Sequence, residues 1–377
     1  MERALWLRSF IFSLGSLNRP VSFCQEPTGD GISVLSFDED TAAIHPLARR
    51  GDVDNPCFLT VDAGRSVIYA NTEVHEWREG VVSAWHFDRD TNRLDYLNMQ
   101  PTLGSTPSYS RASADGGYLY LVNYAIGEGG PDQSTLIYGR REDGRLTPPL
   151  ASLRFTPGTG PKADRQERSH PHAIIEIPSA DGTKNLLIVP DLGTDRIEVV
   201  AVESGPRLAA LSHVALPAGA GPRHMVLHPN GRFLYVINEL DSTLATLERQ
   251  EDTFAIVSIL PTVPASFRDA NFAADLQISA DGRFLYGSNR GHDSIAIFTI
   301  DPVTGLPASR GHVAAGGKTP RNFALTPSGR HLICANQDSD SLTIFSRDGG
   351  TGFLRPRASY PIGTPVCVRA CELASTP

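Results

Sequence analysis

Short apolar runs alternate with polar turns along the whole chain, in an order that recurs. Each copy centres on a glycine turn: Gly116, Gly182, Gly231, Gly282 and Gly329, with Gly64 in the variant turn Asp-Ala-Gly. Before the turn lies a segment with alternating apolar positions, clearest at Met225 and Leu227 and at Phe323 and Leu325. After it comes a compact apolar run, as in SVIYAN, YLYLVN, RFLYVIN, RFLYGSN and RHLICAN. A polar turn, often Asp-Ser, leads into a further strand such as RIEVVAV, TLATLE, SIAIFTI or SLTIFSR. Period-two alternation bounded by turn residues predicts strands, and no helical period competes with it.

The apolar run closes on a small polar residue at Asn71, Asn123, Asp191, Asn238, Asn289 and Asn336. That spacing holds one four-stranded antiparallel sheet per repeat, and radially arranged sheets of this kind make an all-β propeller. The widest gap, between Asn123 and Asp191, carries an insertion placed at Pro157–Arg168, rich in charge and expected as an exposed loop that can lie over a site. Six repeats are complete, and the ends supply a seventh. Thr364-PVCVRAC reads as a first strand, Gly31-ISVLSF as a third and Ile44-HPLARR as a fourth, with an early strand at Ser9–Leu14. One blade is thus shared between the two ends of the chain, which leaves no sheet edge open. The domain reading is one propeller over residues 31–371, with residues 1–30 an extension or the start of the closing blade and 372–377 a tail. A six-bladed ring with decorated ends and a pair of sandwiches are the alternatives.

Composition narrows the function. The 377 residues carry a formal net charge of −8, which argues against general nucleic-acid binding while leaving room for a local basic pocket. Cys24, Cys57, Cys334, Cys367 and Cys371 include no C-x-x-C pair and read as mostly buried thiols of a reducing, cytoplasmic compartment. No apolar run is long enough to span a membrane, and the apolar stretch near Met1 is broken by Arg8, a poor secretory signal. There is no G-x-S-x-G, no P-loop and no dinucleotide fingerprint; Gly127–Gly130 reads as a loop. A monomer or weak homodimer is expected.

Candidate chemistry lies where the repeat breaks its own rule. The residue after the leading proline is Cys57, Ser108, His172, Arg223, Arg321 and Val366, with Ala274 in the copy that lacks the proline. The residue after the closing Asn or Asp is Thr72, Tyr124, Leu192, Glu239, Arg290 and Gln337. Scaffold positions repeat and these do not, so they converge on a ring without sharing a structural duty. Arg223, Arg290 and Arg321 either brace neighbouring blades or grip a carboxylate or phosphate through two bonds. Glu239 ends a strongly apolar strand and needs a partner if buried. His170 and His172, two apart on an expected strand, point the same way. That pair has no third neighbour of the kind a metal needs, and the His224–His228 spacing, which makes a metal pair on a helix, here runs along a strand into a turn, so no metal or cofactor is expected. The recurring Asn residues, including Asn71, and Asp195, Asp293 and Asp340 are expected to tie turns.

The ordered set SHPHAIIEIP, VPDLGTDRI, GPRHMVLHPNGRFLYVINELDSTL, SADGRFLYGSNRGHDSI and TPRNFALTPSGRHLICANQDSDSL resembles the seven-bladed propeller lactonase family. The resemblance spans about Gly31 to Cys371 and is strongest from Ser169 onward. It implies hydrolysis of an acidic sugar lactone, 6-phosphogluconolactone foremost, by metal-independent activation of water; lactone formation from a carboxymuconate and a non-catalytic binding module are the alternatives. It places the active residues on His172, Arg223, Glu239 and Arg290. His170, Arg321, His224, Tyr124 and Gln337 are the accompanying substrate-binding candidates, for a small anionic lactone or carboxylate. The chain departs from the family at Met1–Asp30, where the stretch FSLGSLNRPVSFCQEPTGD replaces the usual direct opening on a short strand.

Overall fold

The computed structural model describes residues 9–125, 130–155 and 158–371, without the side chains of Ser9 and Cys371. Met1–Arg8, Gly127–Glu128–Gly129, Pro157 and the 372–377 tail lie outside the described residues. Within them, 28 strands form seven four-stranded antiparallel sheets arranged as a propeller. Six sheets are consecutive in sequence. The seventh sets the C-terminal strand Pro365–Cys371 innermost, beside Ser9–Ser16, Ile32–Asp38 and Ile44–Arg50. Ser13 faces Arg369 and Leu14 faces Val368 in that closing pair. The stretch that departs from the family therefore begins with an integral second strand, whose Phe12 and Leu14 are wholly buried.

The repeat has identifiable physical causes. Gly116, Gly182, Gly231, Gly282 and Gly329 all adopt positive φ, which only glycine enters without strain. In the first blade that duty falls to Ser66 rather than Gly64. The tyrosine of the second strand is an inter-blade strut. Tyr69, Tyr235 and Tyr286 are buried, and their hydroxyls donate to the carbonyls of Gly144, Gly305 and Gly352 in the following blade at 3.0, 2.8 and 2.8 Å. Burying each ring contributes about 2 kcal/mol before the hydrogen bond is counted. The apolar clusters lie between blades, as where Ile188 and Val199 meet Met225 and Val236.

The expected tying roles hold for the aspartates. Asp195 accepts from the amides of Gly219 and Gly221 at 2.6 and 2.7 Å, Asp293 from Thr319 at 2.8 Å and Asp340 from Thr364 at 2.8 Å. Each bond links the turn of one blade to the start of the next blade's inner strand. Asn123 and Asn289 likewise donate to turn carbonyls and Asn336 to the Thr343 hydroxyl on the next strand, whereas buried Asn71 makes no side-chain hydrogen bond and does not tie its turn.

Candidate functional site

The inner strands and the residues just past the second strands set the site. The amides of Tyr124, Leu192, Glu239 and Gln337 donate to the carbonyls of Thr106, His170, Gly221 and Thr319, one position repeated around the ring. Glu73 makes the same bond to Asn55, and Pro56 pairs with Thr72 as Pro222 pairs with Asn238. The first-blade member of this column is therefore Glu73, not Thr72. Aligning on Asn71 slips the blade by one residue, because the small polar residue there stands one place early. Leu17, bonded to Thr364, completes the column in the seventh blade.

These columns surround a cavity of about 700 Å³, and the predicted quartet and all five binding candidates line it. Glu239, 3% exposed, is its densest point. One carboxylate oxygen lies 2.7 Å from Arg223 Nε and 2.9 Å from Arg290 Nη2, and the other lies 2.6 Å from Arg165 Nη2. Burial by itself would raise the Glu239 carboxyl, but Arg290, Arg223 and Arg165 outweigh it and hold it well below the usual range. Arg223 is pushed down to about 9 by burial and by Arg290, and so stays charged at neutral pH. Its Nη1 is fixed on the Ala274 carbonyl at 2.7 Å, and Arg290 Nε on the Phe272 carbonyl at 3.2 Å. Arg223 Nε and Arg290 Nη2 are buried against the Glu239 carboxylate as its ion-pair partners.

His172 and His170 do not share a strand: the third blade's inner strand is Ile175–Pro178, and Pro171 makes only an isolated bridge to Asp191. The proline breaks the extension, so the two rings have different surroundings. His172 packs edge-on against Tyr124 at 5.5 Å, and burial and then Arg223 lower its pKa well below 6.5. It is a neutral imidazole near pH 7. His170 is 1% exposed and stacked on Tyr124 at 4.2 Å, with Nδ1 2.6 Å from the Tyr124 carbonyl and Nε2 3.1 Å from Glu167. Both ring nitrogens are engaged, which gives His170 the place of a brace for Tyr124 rather than a group facing a ligand. The Tyr124 hydroxyl accepts from Arg165 at 3.3 Å.

The floor is a second buried layer. His224 Nδ1 lies 2.5 Å from Asp275, whose other oxygen accepts from Asn322 Nδ2 at 2.7 Å and the Phe323 amide at 3.0 Å. Beside it Phe58 and Tyr109 are 3.9 Å apart at their ring centres, with the Arg369 guanidinium 4.0 Å from the Phe58 ring. Across the cavity, Arg321 Nη2 is 3.4 Å from Glu73 and Nη1 is 3.4 Å from Gln337.

Three contributors escape sequence reasoning. Arg165 comes from the insertion, whose Gln166 is wholly buried and donates to the Leu192 carbonyl and to Asp195. The loop is largely exposed and lies over the site, as its charge and its place in the repeat predicted, and buried Gln166 anchors it there. Glu73 was hidden by the one-residue slip. Asp275 follows Ala274 on an inner strand and carried a signal, as a carboxylate in an apolar alternation. Among the described residues no group of three or more His, Cys, Asp or Glu is arranged to hold a metal ion.

Residues 19–370 match the family model described as lactonase, 7-bladed beta-propeller. The chain is 29% identical over 301 residues to 6-phosphogluconolactonase of Bacillus subtilis, covering 79% of this chain and 82% of that one. It is 32% identical over 316 residues to 6-phosphogluconolactonase of Formosa agariphila, covering 81% and 85%. The structure of the periplasmic gluconolactonase of Pseudomonas aeruginosa superposes with a TM-score of 0.84 at 29% identity, over 96% of this chain and 98% of that one. With the fold, the repeat and these likenesses in agreement, the chain belongs to the seven-bladed β-propeller lactonase family.

Proposed function

We propose that the chain hydrolyses an acidic sugar lactone, with 6-phosphogluconolactone the first substrate to try. The observation that carries this reading is a neutral His172 beside a carboxylate held among guanidinium groups in one enclosed cavity. Arg223 and Arg290 donate to the lactone carbonyl oxygen and stabilise the oxyanion that forms as water adds. His172 takes the proton from that water. The ring C–O bond then breaks, and the imidazolium returns the proton to the departing oxygen, leaving a hydroxyl and a carboxylic acid that releases its proton to solvent. Glu239 is a poor base, because three guanidinium contacts stabilise its charged form; its part is to hold Arg223, Arg290 and Arg165 in one array. The remaining anionic group of the substrate is balanced by Arg165, Arg223 and Arg290, which outnumber the one carboxylate they share, Glu239. The buried, unpaired thiols of Cys57, Cys334 and Cys367 favour a reducing compartment, and we place the activity in the cytoplasm.

The test is a hydrolysis panel of phosphorylated and plain aldonolactones, with carboxymuconate cyclisation run alongside. Rapid opening of an acidic lactone, lost in His172→Ala, is the expected result. Cyclisation without lactone opening would reassign the pocket to the reverse chemistry, and inertness toward every substrate would leave a binding module.

A further inference from the structure

The cavity has two poles, and the second is built from residues the lactonase chemistry above does not use. In the seventh blade both columns are apolar, with Val366 on the inner strand and Leu17 after the second strand, each buried with Val21. No polar side chain of those columns intervenes between the sixth and first blades, so Arg321 reaches across to Glu73. Both Arg321 contacts, to Glu73 and to Gln337, stand at 3.4 Å, against 2.6–2.9 Å around Glu239. The Glu239 pole is the more tightly paired, whereas the Arg321 pole is loosely held and open to a better acceptor.

The segment that follows the second strand of the closing blade roofs this pole. The amides of Asn18 and Arg19 both donate to Asn55 Oδ1 at 2.8 Å, and Asn55 donates back to the Arg19 carbonyl at 3.0 Å. A short Val21–Cys24 bridge then projects Phe23. The Phe23 ring is 43% exposed, lines the cavity, and lies 4.6 Å from the Arg321 guanidinium and 5.6 Å from the His75 ring. His75 is in turn 3.3 Å from Glu73 and 3.2 Å from the Ser22 hydroxyl. An exposed aromatic face beside a guanidinium and a half-buried carboxylate matches a polyol carrying an anion. The ring covers C–H groups, the carboxylate accepts hydroxyls, and the guanidinium takes the charge.

We propose that Arg321, Glu73, His75 and Phe23 form a distal subsite that binds the phosphorylated end of an aldonolactone, away from the carbonyl held by Arg223 and Arg290. This rests on the lactonase reading for its kinetics but not for its binding. The amino-terminal segment Asn18–Asp30 is then a specificity element and not an appendage.

The experiment compares a phosphorylated aldonolactone with its plain parent, and 6-phosphogluconate with gluconate by titration calorimetry. In Arg321→Gln the ratio of kcat/KM values, phosphorylated over plain, should fall 10- to 100-fold, mostly through KM. The affinity ratio of 6-phosphogluconate over gluconate should fall by the same factor. Phe23→Ala, a change at an exposed ring, should raise KM for both lactones about threefold to tenfold and leave that ratio standing. An unchanged ratio in Arg321→Gln overturns the subsite, as does wild-type protein that binds 6-phosphogluconate no better than gluconate. If no lactone is opened but the affinity ratio still depends on Arg321, the hydrolase reading fails and the subsite survives.

Discussion

Replacing Glu239 with Gln tests the site at its most charged point. The change keeps the shape of the side chain and removes one negative charge from the middle of Arg165, Arg223 and Arg290. At an effective dielectric constant of about 20, a unit charge pair near 4 Å is worth about 4 kcal/mol. Arg165 is partly exposed and screened, and the glutamine oxygen recovers part of the rest, so the net loss is about 3 kcal/mol, at the low end for breaking a buried pair. With an unfolding entropy of about 2.1 cal/mol/K per residue over the whole chain, that lowers Tm by about 4 °C. The same change raises the positive charge of the cavity by one unit, so added phosphate should bind the variant more tightly. At a hundred times its Kd, phosphate returns about 2.7 kcal/mol, most of the deficit. The assay is thermal unfolding with and without phosphate, beside turnover on the preferred lactone, which should fall by about 100-fold or more as the arginines lose their array. A variant that melts within about 1 °C of wild type and gains no more from phosphate than wild type would refute the electrostatic reasoning, whatever its activity.

His172→Ala should abolish turnover by about 100-fold or more while Tm near pH 7.5 stays close to wild type. Its pH signature has a definite sign: the folded-state pKa lies below 6.5, so the unfolded chain takes up the proton first and stability drops as pH falls below 6.5 toward the folded value. The His172→Ala variant should lose less stability than wild type between pH 7 and 5, and identical slopes would count against a ring held neutral in the folded protein. Arg165→Gln should lower kcat about tenfold by releasing one oxygen of Glu239, with melting little changed; full activity would remove the insertion from the site. A chain beginning at Gly31 lacks the strand Ser9–Ser16, leaves the innermost strand Pro365–Cys371 without its partner, and should aggregate or unfold without a cooperative transition in calorimetry. A soluble, cooperative shortened chain would show that the ring closes some other way.

How much was legible in advance differs from element to element, for physical reasons. Turn glycines, period-two alternation and the recurring Asp and Asn residues are local necessities of a blade, and each copy restates them, so blade number and ring closure follow from the chain itself. Positions freed from that duty stand out by contrast, which is why His172, Arg223, Glu239, Arg290 and Arg321 were visible before any coordinates. Local pattern misled at Asn71, because Pro56 pairs with Thr72 and so moves the column to Glu73. It misled again at His170 and His172, where Pro171 turns an expected strand into a bridge.

Sequence alone determined the repeat, and through it the all-β ring, the shared closing blade and the set of residues excused from scaffolding. Only the tertiary structure decided what those residues meet. Arg165 reaches Glu239 from 74 positions away and Arg321 reaches Glu73 from 248, and no local period encodes contacts between groups that far apart. Whether a carboxylate sits ionised among guanidinium groups or an imidazole stays neutral depends on burial and on neighbours brought round the ring. Those are properties of the closed propeller and not of any one of its blades.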